Sequence, residues 1–193
     1  MKFITKFIVL TLITSCSSKQ FTLDQYSNYR IKFAKQKIVY PNNDFLIFIP
    51  KHWEWKVETY ENQNVILGID AGSKLDKNGF VDIISIQKFK SFVNNKDLNS
   101  EIKYWQNLII KNPQNGKLIE SGYTESLYKK SYFFHTKYDT NRQGESEIIS
   151  FILESEIEGV FYNLTASVSQ STDLKKNMSI LIQSLMTFEI QNK

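Results

Sequence analysis

The chain has 193 residues, of which 41% are hydrophobic, 14% aromatic and 23% charged, with a formal net charge of +4. That length holds one ordinary domain, and the composition excludes disorder, a collagen-like repeat and a coiled coil. One Cys excludes a disulfide framework, a Cys-based zinc site and an iron–sulfur cluster, and two His leave little for a His-rich catalytic or metal centre.

The N-terminus carries an address. Lys2 and Lys6 flank the start of a short apolar run, Phe7 to Ile13, and small Thr14 and Ser15 then precede Cys16. The run falls well short of the ~20 residues needed to cross a bilayer and fits a cleaved secretory signal over residues 1–15. Ile13-Thr14-Ser15-Cys16 resembles the bacterial lipobox. The resemblance implies that the Cys16 thiol takes a diacylglyceryl group, that the signal is cut before Cys16, and that the new amine is acylated. Several acyl chains anchor a protein stably where a single chain does so marginally. The mature chain is therefore expected on a membrane, through lipid on Cys16. Ser17 favours the outer membrane by enterobacterial sorting rules; SSKQ (17–20) does not decide the side, and a domain facing the periplasm is the expectation.

Loss of Lys2 and Lys6 with the signal leaves a net charge of +2. Lys19, Arg30, Lys32, Lys35 and Lys37 against Asp24 give residues 17–41 a net +4, so residues 42–193 carry −2. A basic segment beside a membrane suits anionic headgroups, and it equally suits a solvated tether. A near-neutral domain outside the cytoplasm gives no support for a nucleic-acid partner.

Residues 16–41 read as the lipidated Cys and a polar tether, to which Tyr26, Tyr29, Ile31 and Phe33 can add a partial strand or helix. A single domain is expected over 42–193, opening at the turn signal Pro41-Asn42-Asn43-Asp44. Strands are predicted at 45–50 (FLIFIP), from Trp55 to Thr59, and at 65–69 and 81–87. Leu98, Ile102, Trp105 and Ile109 recur at helical spacing, which predicts a helix over 97–112 with Asp97 as cap. Strands at 117–123, 131–138, 147–153 and 160–168 follow, the last three joined by short connections that imply an antiparallel meander. Leu174, Met178, Leu181, Ile182 and Leu185 predict a second helix over 173–185, capped by Thr172 or Asp173, and MTFEI (186–190) a closing strand. FLIFIP and IISFIL are apolar at both alternating positions, as in strands buried on both faces. The expected fold is α+β, a mainly antiparallel central sheet covered on both faces by helices and the N-terminal segment.

The order of these elements, with FIPKHW (48–53) leading into paired strands and SLMTFEI (184–190) closing the chain, resembles the PsbP-like family, which includes Mog-type proteins. Pro50, Trp53, Ser184 and Phe188 are the recognisable positions, and the resemblance spans about 44–190. It implies an αβα sandwich and places the chain beside small bacterial lipoproteins. No residues match a Ran-binding patch or a photosynthetic role.

Candidate chemistry is sparse. Asp76 to Asp82 looks briefly like a calcium loop, but alignment on Gly79 puts Lys74 and Ser85 where carboxylates belong, and Asn78-Gly79 suits a hairpin turn. His52 and His135 lie far apart and read as structural. Glu154, Glu156 and Glu158 suit a solvated strand end rather than a hydrolytic carboxylate pair. No serine elbow or phosphate loop occurs, and Asn163-Leu164-Thr165 matches a glycosylation sequon by chance. Tyr60, Tyr104, Trp105, Tyr132 and Tyr162 can line a groove, or fill the core. Cys16 is the one site residue assigned, as a lipid attachment point; no catalytic residue, metal or cofactor is. The expected role is a non-enzymatic envelope domain that binds a protein partner. The alternative is a carrier or sensor of a small apolar or lipid ligand between sheet and helix.

Overall fold

A computed structural model describes residues 20–40, 42–59, 64–76, 79–111, 116–140, 144–169 and 173–191. In chain order the elements are α1 (Leu23–Ser27), β1 (Lys35–Val39), β2 (Phe45–Pro50), β3 (Glu54–Val57), β4 (Val65–Gly72), β5 (Ile83–Lys90), α2 (Leu98–Lys111), β6 (Lys117–Thr124), β7 (Ser131–Thr140), β8 (Gly144–Glu154), β9 (Val160–Ser169), α3 (Leu174–Leu185) and β10 (Glu189–Ile190). Among the described residues the strands form two sheets with every pairing antiparallel. The small one runs β1-β2-β10 and the large one β3-β4-β5-β9-β8-β7-β6.

The period of two along each strand sorts the large sheet's faces. On β9, Tyr162, Leu164, Ala166 and Val168 are buried, while Asn163, Thr165 and Ser167 between them are only half-buried. The apolar face meets α3 through Met178, Leu181, Ile182 and Leu185, and the small sheet through Phe45, Ile47 and Ile49. On the opposite face Phe89, Tyr132, Phe134, Ile152 and Phe161 receive α2 through Ile102, with Trp105 and Ile109 beside it. Helices thus lie on both faces of an α+β fold, as expected, but α2 covers one end of its face only. Asn163, Thr165, Ser167, Ser85 and Gln87 continue that face as a half-open polar surface.

FLIFIP is the middle strand of the small sheet and not part of the central one. Its two sides are used differently: Phe45, Ile47 and Ile49 enter the main core, while Leu46, also buried, pairs with Glu189 of β10 and the Phe48 N–H donates to Thr187 Oγ1 (2.9 Å). The helix caps divide. Asp97 Oδ1 accepts from the Ser100 N–H (2.9 Å), as expected, whereas Asp173 precedes α3 without a side-chain capping bond, and Thr172 lies outside the described residues.

The expected tether is corrected from Phe21 onward. Residues 21–40 belong to the fold. Thr22 and Gln25 form a capping box that starts α1, with Leu23 and Tyr26 buried. Gln183 of α3 donates to the backbone carbonyl of Tyr29 (2.8 Å). Five residues of β1 pair with β2, and Ile38 is buried in the main core. The turn signal at 41–44 is therefore the β1–β2 hairpin inside the domain and not its beginning. The Tyr40 N–H donates to the Phe45 carbonyl (2.9 Å), and Asn43 takes φ 56°, a left-handed conformation that Asn tolerates well.

Candidate functional site

The structure scatters the residues that looked chemically suggestive. His52 is exposed at the corner between the two sheets, with φ 71°. His135 is fully buried on β7. Glu154, Glu156 and Glu158 are exposed at the end of β8 and in the turn that follows, and Glu156 pairs with Lys129. Asp76 folds its own turn: its Oδ1 accepts from the Phe80 N–H (2.9 Å), its carbonyl from the Gly79 N–H (3.0 Å), and Gly79 takes φ 83°. Asn163 sits on β9 with Thr165 Oγ1 3.4 Å from its Oδ1. The aromatic candidates divide between the two cores. Tyr162 lies with the α3 side, while Tyr132 and Trp105 pack with the α2 side and Tyr104 stacks on Phe92. Cys16 and Tyr60 lie outside the described residues.

His135 instead joins a polar cluster that sequence reasoning did not find. Its Nε2 lies 2.9 Å from Glu147 Oε2 and its Nδ1 3.2 Å from Glu120 Oε1. The Tyr26 hydroxyl donates to the same Glu147 oxygen (2.9 Å), and the Leu23 N–H donates to Glu120 Oε1 (2.6 Å). Each ring nitrogen of His135 thus has a carboxylate oxygen as its partner. Burial, reinforced by the Glu147 charge, pushes the Tyr26 hydroxyl far above the usual phenol range and keeps it a donor. Two elements of the N-terminal segment, a helix N–H and a side chain, are thereby fastened to β6, β7 and β8. The legible signal was Glu147 at an inward position, in step with apolar Ile149 and Phe151. A second buried acid, Glu101 of α2, accepts from Ser91 Oγ (2.7 Å) and Trp105 Nε1 (3.1 Å). Among the described residues no set of His, Cys, Asp and Glu is arranged to hold a metal ion.

Two of the surface concavities among the described residues have a tryptophan in the wall. At the β3 edge a groove of ≈ 470 Å³ is lined by Glu54, Trp55, Lys56, Asp70, Val81 and Ile83. It adjoins a second hollow that shares Glu54 and Val81 and reaches Leu75. Trp55, Val57 and Leu75 are 41%, 46% and 69% exposed. The Glu58 N–H donates to the Gly68 carbonyl (3.1 Å), so alternation along an antiparallel pair turns Glu54 and Lys56 toward β4 and the backbone groups of Trp55 and Val57 outward. Burial holds the Asp70 carboxyl above its usual range. The other concavity, ≈ 280 Å³, lies between α2 and the half-open face, lined by Trp105, Leu108, Phe134, Thr136, Ser150 and Asn163 among others.

This arrangement of an antiparallel sheet, a small second sheet and flanking helices is shared with solved structures. The chain is similar to cyanobacterial PsbP (CyanoP) from Synechocystis sp. PCC 6803, with TM-score 0.58 and 10% identity over 81% of this chain and 92% of that one. It is similar to LpqN, involved in cell envelope biogenesis of Mycobacterium tuberculosis, with TM-score 0.52 and 10% identity over 82% and 91%. The Saccharomyces cerevisiae Ran-binding protein Mog1p matches with TM-score 0.50 and 8% identity over 82% and 96%. No protein-family profile and no curated protein sequence matches the chain. The architecture is α+β with a mainly antiparallel sheet. Within that class it is the PsbP/Mog-like fold, as the order of elements led one to expect.

Proposed function

We propose that the chain is a lipid-anchored envelope protein of bacteria, held at the outer membrane by Cys16, whose domain binds a protein partner and performs no reaction of its own. The observation that carries the partner role is the β3 edge. Trp55 and Val57 stand exposed on an edge strand with their backbone groups turned outward, beside a groove walled by Glu54, Lys56 and Asp70. Large exposed apolar side chains rimmed by charge, on a free strand edge, are where proteins meet partners. The likeness of fold to LpqN, a protein of cell envelope biogenesis, and to Mog1p, a Ran-binding protein, is consistent with a binding scaffold.

The test is photo-crosslinking in intact cells, with the reactive residue placed at Trp55 and, as control, at exposed Lys103 on α2. A discrete adduct from Trp55 alone, lost with Val57→Asp, is expected. Equal patterns from both positions would remove the β3 edge as the partner site.

The second reading, a carrier of a small apolar ligand, rests on the cleft under α2 with Trp105 and Phe134 in its wall. Native mass spectrometry of the purified chain discriminates: a co-purifying mass displaced by Ile152→Trp would favour the carrier.

A further inference from the structure

The N-terminal segment is both the most basic part of the mature chain and the part nearest the expected lipid. Arg30, Lys32, Lys35 and Lys37 are all exposed. They stand on a segment that the Tyr26–Glu147–His135–Glu120 cluster and the β1–β2 pairing hold rigidly against the domain. The fold adds two cations from far along the chain. Lys175 Nζ lies 4.9 Å from the Phe21 ring centroid and 5.2 Å from that of Tyr29, and Lys176 beside it is exposed. Among the described residues none of these six cations makes an ion pair. Among the acids nearby are Asp24, whose carboxylate accepts from Asn28, Glu120, which accepts from the Leu23 N–H, and Asp173 ahead of α3. Only four residue steps separate Cys16 from Gln20, so the chain between them reaches at most about 14 Å.

We propose that this basic face docks the domain on an anionic bilayer, so that the lipid on Cys16 and the cations of residues 30–37 and 175–176 act together to fix which side faces the membrane. A short leash keeps the cations within reach of the surface, and the fastening of residues 21–40 to the domain keeps their orientation. The remainder of the domain, with net negative charge, is repelled by the same surface. Each cation near an anionic membrane strengthens binding roughly fivefold, and the attraction is confined to about a Debye length, near 10 Å at 0.1 M salt. The docking rests on the lipid-anchor reading for its biological setting, but it is measurable without the lipid.

The experiment uses the chain from residue 16 onward with Cys16→Ser, and sedimentation with vesicles of phosphatidylcholine alone or with a third of phosphatidylglycerol. Binding to the anionic vesicles only, lost in high salt, is expected. The reversal Arg30→Glu/Lys32→Glu/Lys35→Glu/Lys37→Glu should weaken it at least tenfold, while Lys103→Glu/Lys111→Glu on α2 leaves it within twofold. A milder set with Gln in place of Glu, checked by its thermal transition, guards against loss of fold and should still weaken binding severalfold. Equal partition onto both vesicles, or an equal drop from the α2 pair, overturns the proposal. Acyl labelling of the wild-type chain is scored separately, so failure of the lipid anchor and failure of the docking face are distinguishable.

Discussion

His135 Nε2 sits 2.9 Å from Glu147 Oε2, and the Tyr26 hydroxyl, 121 positions from Glu147 in the chain, donates to that same oxygen. One carboxylate oxygen thus ties the first helix to β7 and β8 of the large sheet. Tyr26→Phe removes the donor and leaves the buried Glu147 oxygen short of one partner. Such a loss costs about 1–3 kcal/mol. Urea unfolding of the mature chain should show that drop with little change in slope. A loss below about 0.5 kcal/mol would mean that the bond contributes nothing net.

A chain beginning at residue 42 loses α1, β1 and the Tyr26 bond together. It strips the cover from Phe45 and Ile47 and turns β2 into an edge strand. We expect its thermal transition to broaden and shift down by more than 10 °C, given that a loss of 1 kcal/mol moves Tm by about 2–4 °C in a domain of this size. An unchanged transition would show residues 20–40 to be an appendage after all.

Leu181 is 1% exposed and packs between α3 and the apolar face of the large sheet. Leu181→Ala leaves a cavity there and should cost about 2–5 kcal/mol. Calorimetry reads this directly, and a value well under 1 kcal/mol would place that helix face outside the core.

Burial raises the Asp82 carboxyl to about 6, although the Ser169 N–H donates to it. The folded state therefore holds a proton that the unfolded chain has already released above its ordinary value of 3.8. Stability from this group is complete below about pH 4 and is lost as pH rises through 6. Because the group is partly exposed, screening reduces the effect to about 1 kcal/mol. Asp82→Asn should flatten the fall in stability between pH 4 and 7 by that amount. Parallel curves for the two proteins would contradict the shift.

Cys16 should take label from a palmitate analogue fed to cells, and the chain should fractionate with membranes. Cys16→Ser should abolish the label and leave only a membrane association that high salt removes. Retained labelling would place acylation elsewhere or show the membrane association to have another cause.

The sequence by itself determined the local pattern. Strand-forming composition wrote β9, helical spacing wrote α2 and α3 with their buried faces, and Gly79 marked a turn; Asn78 lies outside the described residues. The order of these elements already resembled the PsbP-like fold, and the expectation of lipid at Cys16 rests on the sequence alone. These features depend on neighbours a few positions apart, which a linear reading contains. Only the tertiary structure decided the rest. KQKIV offers a single buried residue, Ile38, and α1 spans five residues, too few for a period to show, so both passed as tether. FLIFIP read as central because apolarity reports burial and not which sheet supplies it. The meeting of Tyr26, Glu120, His135 and Glu147 follows from strand pairing and from α1 crossing the sheet. No local pattern encodes it, because each residue's partner lies on another element brought near by the fold.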